Sequence, residues 1–218
     1  MRLALFDLDG TLTPLDTENE WITALATAGL VDARPHAQFH ADYLAGHMDG
    51  AAYLAWYTGV LATLAPRAIG DIGAQVVARV LQSIDARRRA WIEEERAKSD
   101  AVLLVSATNR FLVEPIGRAL LFDDVLASPY RMRGGRFTGT LEGEYNLGPA
   151  KHRTVTRWLG ERGTTWADLT RCSCYADSIN DLALLEASSV PVVVDPGAAL
   201  ARIAEQRGWL VTRTVSDT

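Results

Sequence analysis

Only two cysteines, Cys172 and Cys174, occur in the 218 residues. They lie two apart in an apolar run, where a strand would turn both to one face. That spacing suits buried thiols rather than a disulfide, and a metal site would require more ligands nearby. A reducing, cytoplasmic setting is expected. No apolar run approaches the roughly 18 residues of a membrane-spanning helix, so no membrane partner is expected. No signal-like segment precedes the first strand pattern, and neither repeats nor low-complexity tracts occur. An excess of one charge is also missing. The 22 Lys and Arg stand against 27 Asp and Glu, a formal net charge of −5. That balance implies no basic face and excludes nucleic acid as the principal partner. The runs Arg87-Arg88-Arg89 and Glu93-Glu94-Glu95 read as the solvated surface of one helix.

What is present is enough apolar residue, 48% of the chain, to bury a sizeable core. The length suits one domain with a large insertion, or two small domains. Four short apolar runs read as strands: 3–6, 101–105, 172–176 and 190–194. None alternates, as expected when helices cover both faces of a parallel sheet. Helical patterns follow at 110–120, 150–159, 179–187 and 198–206. The alternation predicts an α/β fold, a doubly wound (Rossmann-like) parallel sheet.

One stretch interrupts it. Between Pro14 and Ser99 no strand pattern occurs. Trp21, Tyr53, Trp56 and Tyr57 sit at helix-compatible spacings, and Pro35, Gly46, Gly59, Pro66, Gly70 and Gly73 punctuate the segment. About four helices are expected here, inserted after the first strand. An insertion this long must carry its own core, so residues 14–98 are expected to form an all-helical cap domain. Residues 1–13 and 99–218 would then form the catalytic core. Within that core, Gly134-Gly135 reads as the turn of an extended arm over 130–142.

Ligands bind outside the carboxyl ends of strands in such a sheet, and four polar groups fall there. Asp7 and Asp9 end the first strand, Gly10 permits a turn and Thr11 can cap the segment after it. One carboxylate can attack phosphorus to form an acyl phosphate. A second acid two residues away can protonate the leaving oxygen and then activate water. Ser106, with the Ala107 backbone N–H, can hold a phosphoryl oxygen at the start of the next helix, where Thr108 and Asn109 are near enough to contribute. Lys151 can neutralise charge on the transferring group. Asp177 can bind Mg²⁺, an ion that takes hard oxygen ligands and keeps several waters. Asp181 can bind it through water or orient Lys151, and Asn180 can bond a ligand water or a nearby carbonyl.

In that order the four groups resemble the haloacid dehalogenase superfamily, and within it the phosphoserine-phosphatase-like branch with a helical cap. The resemblance rests on Phe6-Asp7-Leu8-Asp9-Gly10-Thr11-Leu12 and on Tyr175-Ala176-Asp177-Ser178-Ile179-Asn180-Asp181-Leu182, and it covers nearly the whole chain. It implies Asp7 as nucleophile, Asp9 as acid/base, and Ser106 and Lys151 as phosphate holders. It implies Mg²⁺ on Asp7, the Asp9 carbonyl and Asp177. Two departures bear on substrate. The second motif is Ser106-Ala107-Thr108-Asn109 where phosphoserine phosphatases usually carry Ser-Gly-Gly, and Asp16, with Glu18 as a competitor, holds the offset of an amine-binding acid. With Arg110-Phe111 and Glu114-Pro115, the second motif resembles bacterial histidinol-phosphate-phosphatase-like members.

The expected activity is hydrolysis of a small, amino-bearing phosphomonoester, such as histidinol phosphate or phosphoserine, by a monomer or homodimer. A phosphomutase and a phospho-acceptor signalling domain are the alternatives. His36 and His40, four residues apart, lack a third ligand for zinc.

Overall fold

The computed structural model describes residues 1–214, so the last four residues of the expected core lie outside the described residues. Strand β1 (Arg2–Phe6) shows why the first apolar run does not alternate. Leu3 and Leu5 face one core, whereas Ala4 and Phe6 face the other, and all four are essentially fully buried. Phe6 stacks on Tyr175, ring centroids 4.4 Å apart, and meets Phe122 edge-on at 5.8 Å. Truncating such a ring to Ala costs about 3–5 kcal/mol, and here it would also loosen the strand end that carries Asp7.

β1 lies between β2 (Ala101–Asn109) and β6 (Arg171–Ala176), parallel to both. Beyond them lie β3 (Asp124–Ser128) on one side, and β7 (Val190–Val194) and β8 (Leu210–Thr212) on the other. The six-stranded order is β3-β2-β1-β6-β7-β8, a parallel, doubly wound sheet as expected. The chain builds outward to β3 and then returns to β6, so the strand order reverses beside β1. That is the switch point at which such sheets open a crevice. β3 and β8 are short and half-polar, and their sequences carry no distinct strand pattern. β4 (Tyr130–Arg133) and β5 (Arg136–Leu141) form the expected antiparallel hairpin.

Between β1 and β2 run five helices rather than four: α1 (Thr17–Thr27), α2 (Arg34–Leu44), α3 (Gly50–Thr63), α4 (Pro66–Ser83) and α5 (Ala86–Lys98). Their starts are written locally. Asp16, Asp49 and Asp85 accept backbone N–H bonds as N-caps, and Pro35 and Pro66 occupy first-turn positions. Gly59, Gly70 and Gly73 do not break helices. At Gly73 a Cβ would come within 2.6 Å of the Phe111 ring, so glycine there lets α4 close on α6 (Arg110–Ala119). Trp21 and Tyr57 are fully buried and Tyr53 nearly so. The hairpin leans on this segment through a T-shaped Tyr57–Tyr130 contact, centroids 5.2 Å apart.

Helices α7 (Pro149–Gly160), α8 (Leu182–Ala187) and α9 (Ala198–Arg207) cover the opposite face. Cys172 and Cys174 are buried, free, and on that same face. The charged runs correct one expectation. Arg88 and Glu95 are 5% and 2% exposed, not solvated. Glu95 takes hydrogen bonds from Arg171, Ser173 and Tyr175 under the sheet. Among the described residues no single helix is long and apolar enough to cross a membrane.

Candidate active site

Asp7 follows the central strand directly, its backbone N–H donating to the Tyr175 carbonyl at 3.0 Å. The chain then winds one tight turn, with the N–H groups of Thr11, Leu12 and Thr13 all directed at the Leu8 carbonyl. Gly10 makes this turn at φ +77°, and a Cβ there would overlap the Asp177 carboxylate. Thr11 does not cap a helix. Its hydroxyl donates to Asp177 Oδ1 at 3.1 Å, tying the end of β1 to the end of β6. Arg88, reaching from α5, donates through Nε to the Thr11 carbonyl at 3.0 Å and so braces the turn from behind.

Asp9 is half-buried and held from two sides. Thr17 donates through its backbone N–H, at 2.8 Å, and its hydroxyl to Asp9 Oδ1. The Thr108 hydroxyl donates to Oδ2 at 2.7 Å. Burial pushes this carboxyl up to about 7; Asp16 and Asp7 add to the effect, while Thr17 and Thr108 work against it. An acid poised near neutrality can both give and take a proton.

Lys151, in the first turn of α7, is 3% exposed and lies 2.7 Å from Oδ1 of both Asp7 and Asp181. Burial disfavours its charge, but the two carboxylates outweigh burial and hold the ammonium above its ordinary value. Asp181 accepts a hydrogen bond from Lys151, the contact that the second of its two expected roles requires. Asp177 is raised by burial first and by Asp7 and Asp181 next, with Lys151 and Thr11 opposing. Two carboxyls thus face each other with one lysine nearby, a donor set that suits a divalent cation. Among the described residues no three His, Cys, Asp or Glu side chains converge as a metal cage. Two carboxylates plus a backbone carbonyl and waters remain a fit for Mg²⁺, which keeps several waters.

Ser106 does not stand at a helix start. β2 continues to Asn109, with a register shift against β3 between Val105 and Asn109, and α6 begins only at Arg110. The Ser106–Thr108 segment therefore belongs to the strand, beside a register shift, and not to a helix N-terminus. The Thr108 N–H donates to Ser106 Oγ at 3.0 Å. From outside, Asn146 Nδ2 donates to the Ser106 carbonyl at 3.0 Å, and the Ser128 hydroxyl to the Ala107 carbonyl. Asn109 is buried and caps α6 by accepting from the Phe111 N–H at 3.0 Å. It does not reach the cavity.

Asp7, Asp9, Ser106, Ala107, Lys151 and Asp177 open onto one cavity of about 510 Å³. The helical segment supplies its far wall, including Asp16 and Glu18 as expected, and also His36, Phe39, Tyr43 and Tyr53. Of the four aromatics read from the sequence, Tyr53 alone lines the cavity; Trp21, Trp56 and Tyr57 pack behind it. Asp16 caps α1 through Oδ1, accepting from the Asn19 N–H at 2.8 Å. Glu18 is buried, accepts a hydrogen bond from the Tyr53 hydroxyl at Oε2, and has no partner at Oε1. Asn180 donates to the Tyr43 hydroxyl at 2.5 Å, linking α2 to the sheet edge. Thr17, Arg88, Asn146 and Ser128 were not legible as site residues. Thr17 alone carried a signal, since it follows an N-cap aspartate at the first turn of a helix.

Fold and site together define an α/β enzyme with an acid-rich centre at the carboxyl edge of its sheet. The model for haloacid dehalogenase-like hydrolases matches residues 4–186, and the chain belongs to that family. A histidinol-phosphatase of Neisseria meningitidis serogroup C (strain 8013) is 31% identical over 216 residues, spanning 96% of this chain and 97% of the relative. A protein of unknown function from Bordetella pertussis Tohama I has a solved structure with a TM-score of 0.88 at 32% identity, covering 96% of this chain and 97% of its own. A substrate-bound phosphoserine phosphatase shares the fold at a TM-score of 0.69 and 18% identity, over 96% of this chain and 91% of that one.

Proposed function

We propose that this hydrolase is a Mg²⁺-dependent phosphomonoesterase that works through an aspartyl-phosphate on Asp7. The observation that carries the reading is the meeting of Asp7, Asp9, Ser106, Lys151 and Asp177 on one cavity at the sheet's switch point. Asp7, the Asp9 carbonyl and Asp177 would hold Mg²⁺, which would supply positive charge to the phosphoryl oxygens.

Each side chain then has one task. Lys151 fixes Asp7 Oδ1 and thereby aims the other carboxylate oxygen. That oxygen attacks phosphorus, the ester P–O bond breaks, and the departing alkoxide takes a proton from Asp9. In the second half Asp9 takes a proton from water, whose oxygen attacks the phosphorus of the aspartyl-phosphate. The acyl phosphate bond breaks, inorganic phosphate leaves, and Asp7 is regenerated. Ser106 Oγ and the Ala107 N–H hold phosphoryl oxygens in the extended segment that Asn146 and Ser128 pin. Within residues 14–98 the helices that line the cavity, α1 to α3, act as the cap, which excludes water during the first transfer and opens for product release, whereas α5 stays on the sheet through Glu95.

The substrate is a small, amino-bearing phosphomonoester such as histidinol phosphate or phosphoserine. The full-length similarity to a histidinol-phosphatase supports this, as does an acidic cap wall. The test is release of inorganic phosphate from p-nitrophenyl phosphate with and without Mg²⁺, in the wild type and in Asp7→Asn. The variant should retain the wild-type circular dichroism and lose turnover. Metal-dependent hydrolysis by Asp7→Asn would remove Asp7 as nucleophile. Phosphate transfer without release would favour a mutase.

A further inference from the structure

The cavity wall is one-sided in charge. Six acids line it: Asp7, Asp9, Asp16, Glu18, Asp177 and Asp181. Among the described residues its lining contains no arginine and a single lysine, Lys151. That lysine is already shared between Asp7 and Asp181 at 2.7 Å from each.

Two histidines are the other side chains of the wall that can carry positive charge. His36 is buried and stacks on Trp56, centroids 5.9 Å apart, and neither ring nitrogen has a hydrogen-bond partner. Burial holds its imidazole below the ordinary value, although Asp16 pulls the other way. His40 Nδ1 lies 3.8 Å from Asp16 Oδ2, its acidic neighbour on that wall.

A phosphate dianion seated at Ser106 and Lys151 adds to this negative field. The rest of the substrate then meets carboxyls, uncharged rings and the neutral polar groups of Ser178, Asn180 and the α9 N-terminus. An ammonium can be met by Asp16 and can donate to Glu18 Oε1, which has no partner. A carboxylate finds no free lysine or arginine, and burying a carboxylate without a counter-charge costs several kcal/mol. Selection by an unmatched charge discriminates far better than selection by shape alone.

We propose that the leaving group is a cationic amino alcohol without a carboxylate, and that the cap rejects amino-acid phosphates because their carboxylate has no cation to meet. This rests on the phosphomonoesterase reading and narrows its substrate class. The reaction is hydrolysis of the ester P–O bond, with water supplying the phosphate oxygen and the proton that the alcohol carries away. At about 510 Å³ the cavity has room beyond a two- or three-carbon amino alcohol. Phe39, Tyr53 and His36 offer a flat wall for a ring on its third substituent.

Three esters with one phosphate–O–CH₂–CH(NH₃⁺) frame isolate the effect: phosphoserine, 2-aminopropyl phosphate and L-histidinol phosphate. They differ at a carboxylate, a methyl and a methylene-imidazole. kcat/KM for both carboxylate-free esters should exceed that for phosphoserine by about 100-fold or more. Met48, half-buried on the same wall and outside the proposed machinery, gives the converse. Met48→Arg should raise phosphoserine about tenfold relative to 2-aminopropyl phosphate, with p-nitrophenyl phosphate turnover unchanged. Wild-type turnover of phosphoserine equal to or above the other two overturns the proposal while leaving the phosphatase reading intact. So does an unchanged ratio in an active Met48→Arg. Absence of p-nitrophenyl phosphate hydrolysis by the wild type overturns the phosphatase reading and the proposal with it.

Discussion

Lys151 Nζ lies 2.7 Å from Asp7 Oδ1, with both side chains more than nine-tenths buried. The pair joins α7 to the end of the central strand across 144 residues of sequence. Removing the cation would leave Asp7 and Asp181 facing each other unneutralised. Lys151→Met should lower kcat on p-nitrophenyl phosphate by about 10³-fold or more, and thermal melting should show destabilisation of about 3–5 kcal/mol. Lys151→Arg should not restore activity, because a planar guanidinium cannot occupy the position of a compact ammonium between two carboxylates. Recovery of near-wild-type kcat by arginine would refute that geometry.

Thr108 and Asp9 give a pH prediction. The Thr108 hydroxyl donates to Asp9 Oδ2 and favours the ionised form. With Asp9 as the acid that protonates the leaving group, kcat/KM should fall as pH rises through the Asp9 pKa, about 7. Thr108→Val removes a hydrogen bond to the ionised form, so this limb should move to higher pH, by about half a unit or more. A shift toward acid would contradict the assigned role.

Gly10 bears on the metal. An alanine would force a residue with a Cβ to φ +77° and push that Cβ into the Asp177 carboxylate. Left-handed backbone alone costs about 1–2 kcal/mol. Gly10→Ala should weaken Mg²⁺ binding by at least about tenfold in calorimetric titration, before any assay of turnover. Unchanged affinity would separate Asp177 from the metal.

Glu18 links folding to pH. Burial pushes its carboxyl up to about 8; the Tyr53 hydroxyl opposes this and Asp16 adds to it. In the unfolded chain a glutamate titrates near ~4.3. Between those values the folded state binds the extra proton, so stability falls as pH rises through the window and the contribution is gone above about pH 8. Below the unfolded value both states are protonated, so the contribution is fully present and no longer varies with pH. The melting temperature should therefore drop more steeply between pH 5 and 8 in the wild type than in Glu18→Gln. Parallel profiles would show that Glu18 ionises normally.

Much of this molecule can be read from its residues. Leu3 to Phe6 and Val190 to Val194 announce strands because a run buried on both faces has no polar positions to interrupt it. The hairpin at Gly134-Gly135 follows from turn chemistry. β3 and β8 escaped because Asp124 to Ser128 and Leu210 to Thr212 are too short and too mixed for a pattern to emerge. The fifth inserted helix escaped because glycines mark breaks only weakly. Gly59, Gly70 and Gly73 lie inside helices, whereas Asp49, Asp85 and Pro66 mark the true starts.

The acid pair returns as the last example. That Asp7 and Asp9 end a buried strand, that Gly10 turns the chain, and that Lys151 and Asp177 come at later strand and helix ends can all be read from the residues alone. Those are local facts, set by apolar runs and turn residues. How the groups are held emerges only from the packing of the folded chain. Thr17 and Thr108 seize Asp9 from two different segments, Arg88 braces Thr11 from a helix that looked solvated, and Asn146 pins Ser106 from beyond the hairpin. That packing also decides which charges share the cavity, because cations are kept off that wall by the placement of helices rather than by their absence from the chain. Hydrogen-bond partners and fields depend on distances in space, and no spacing along the chain encodes them.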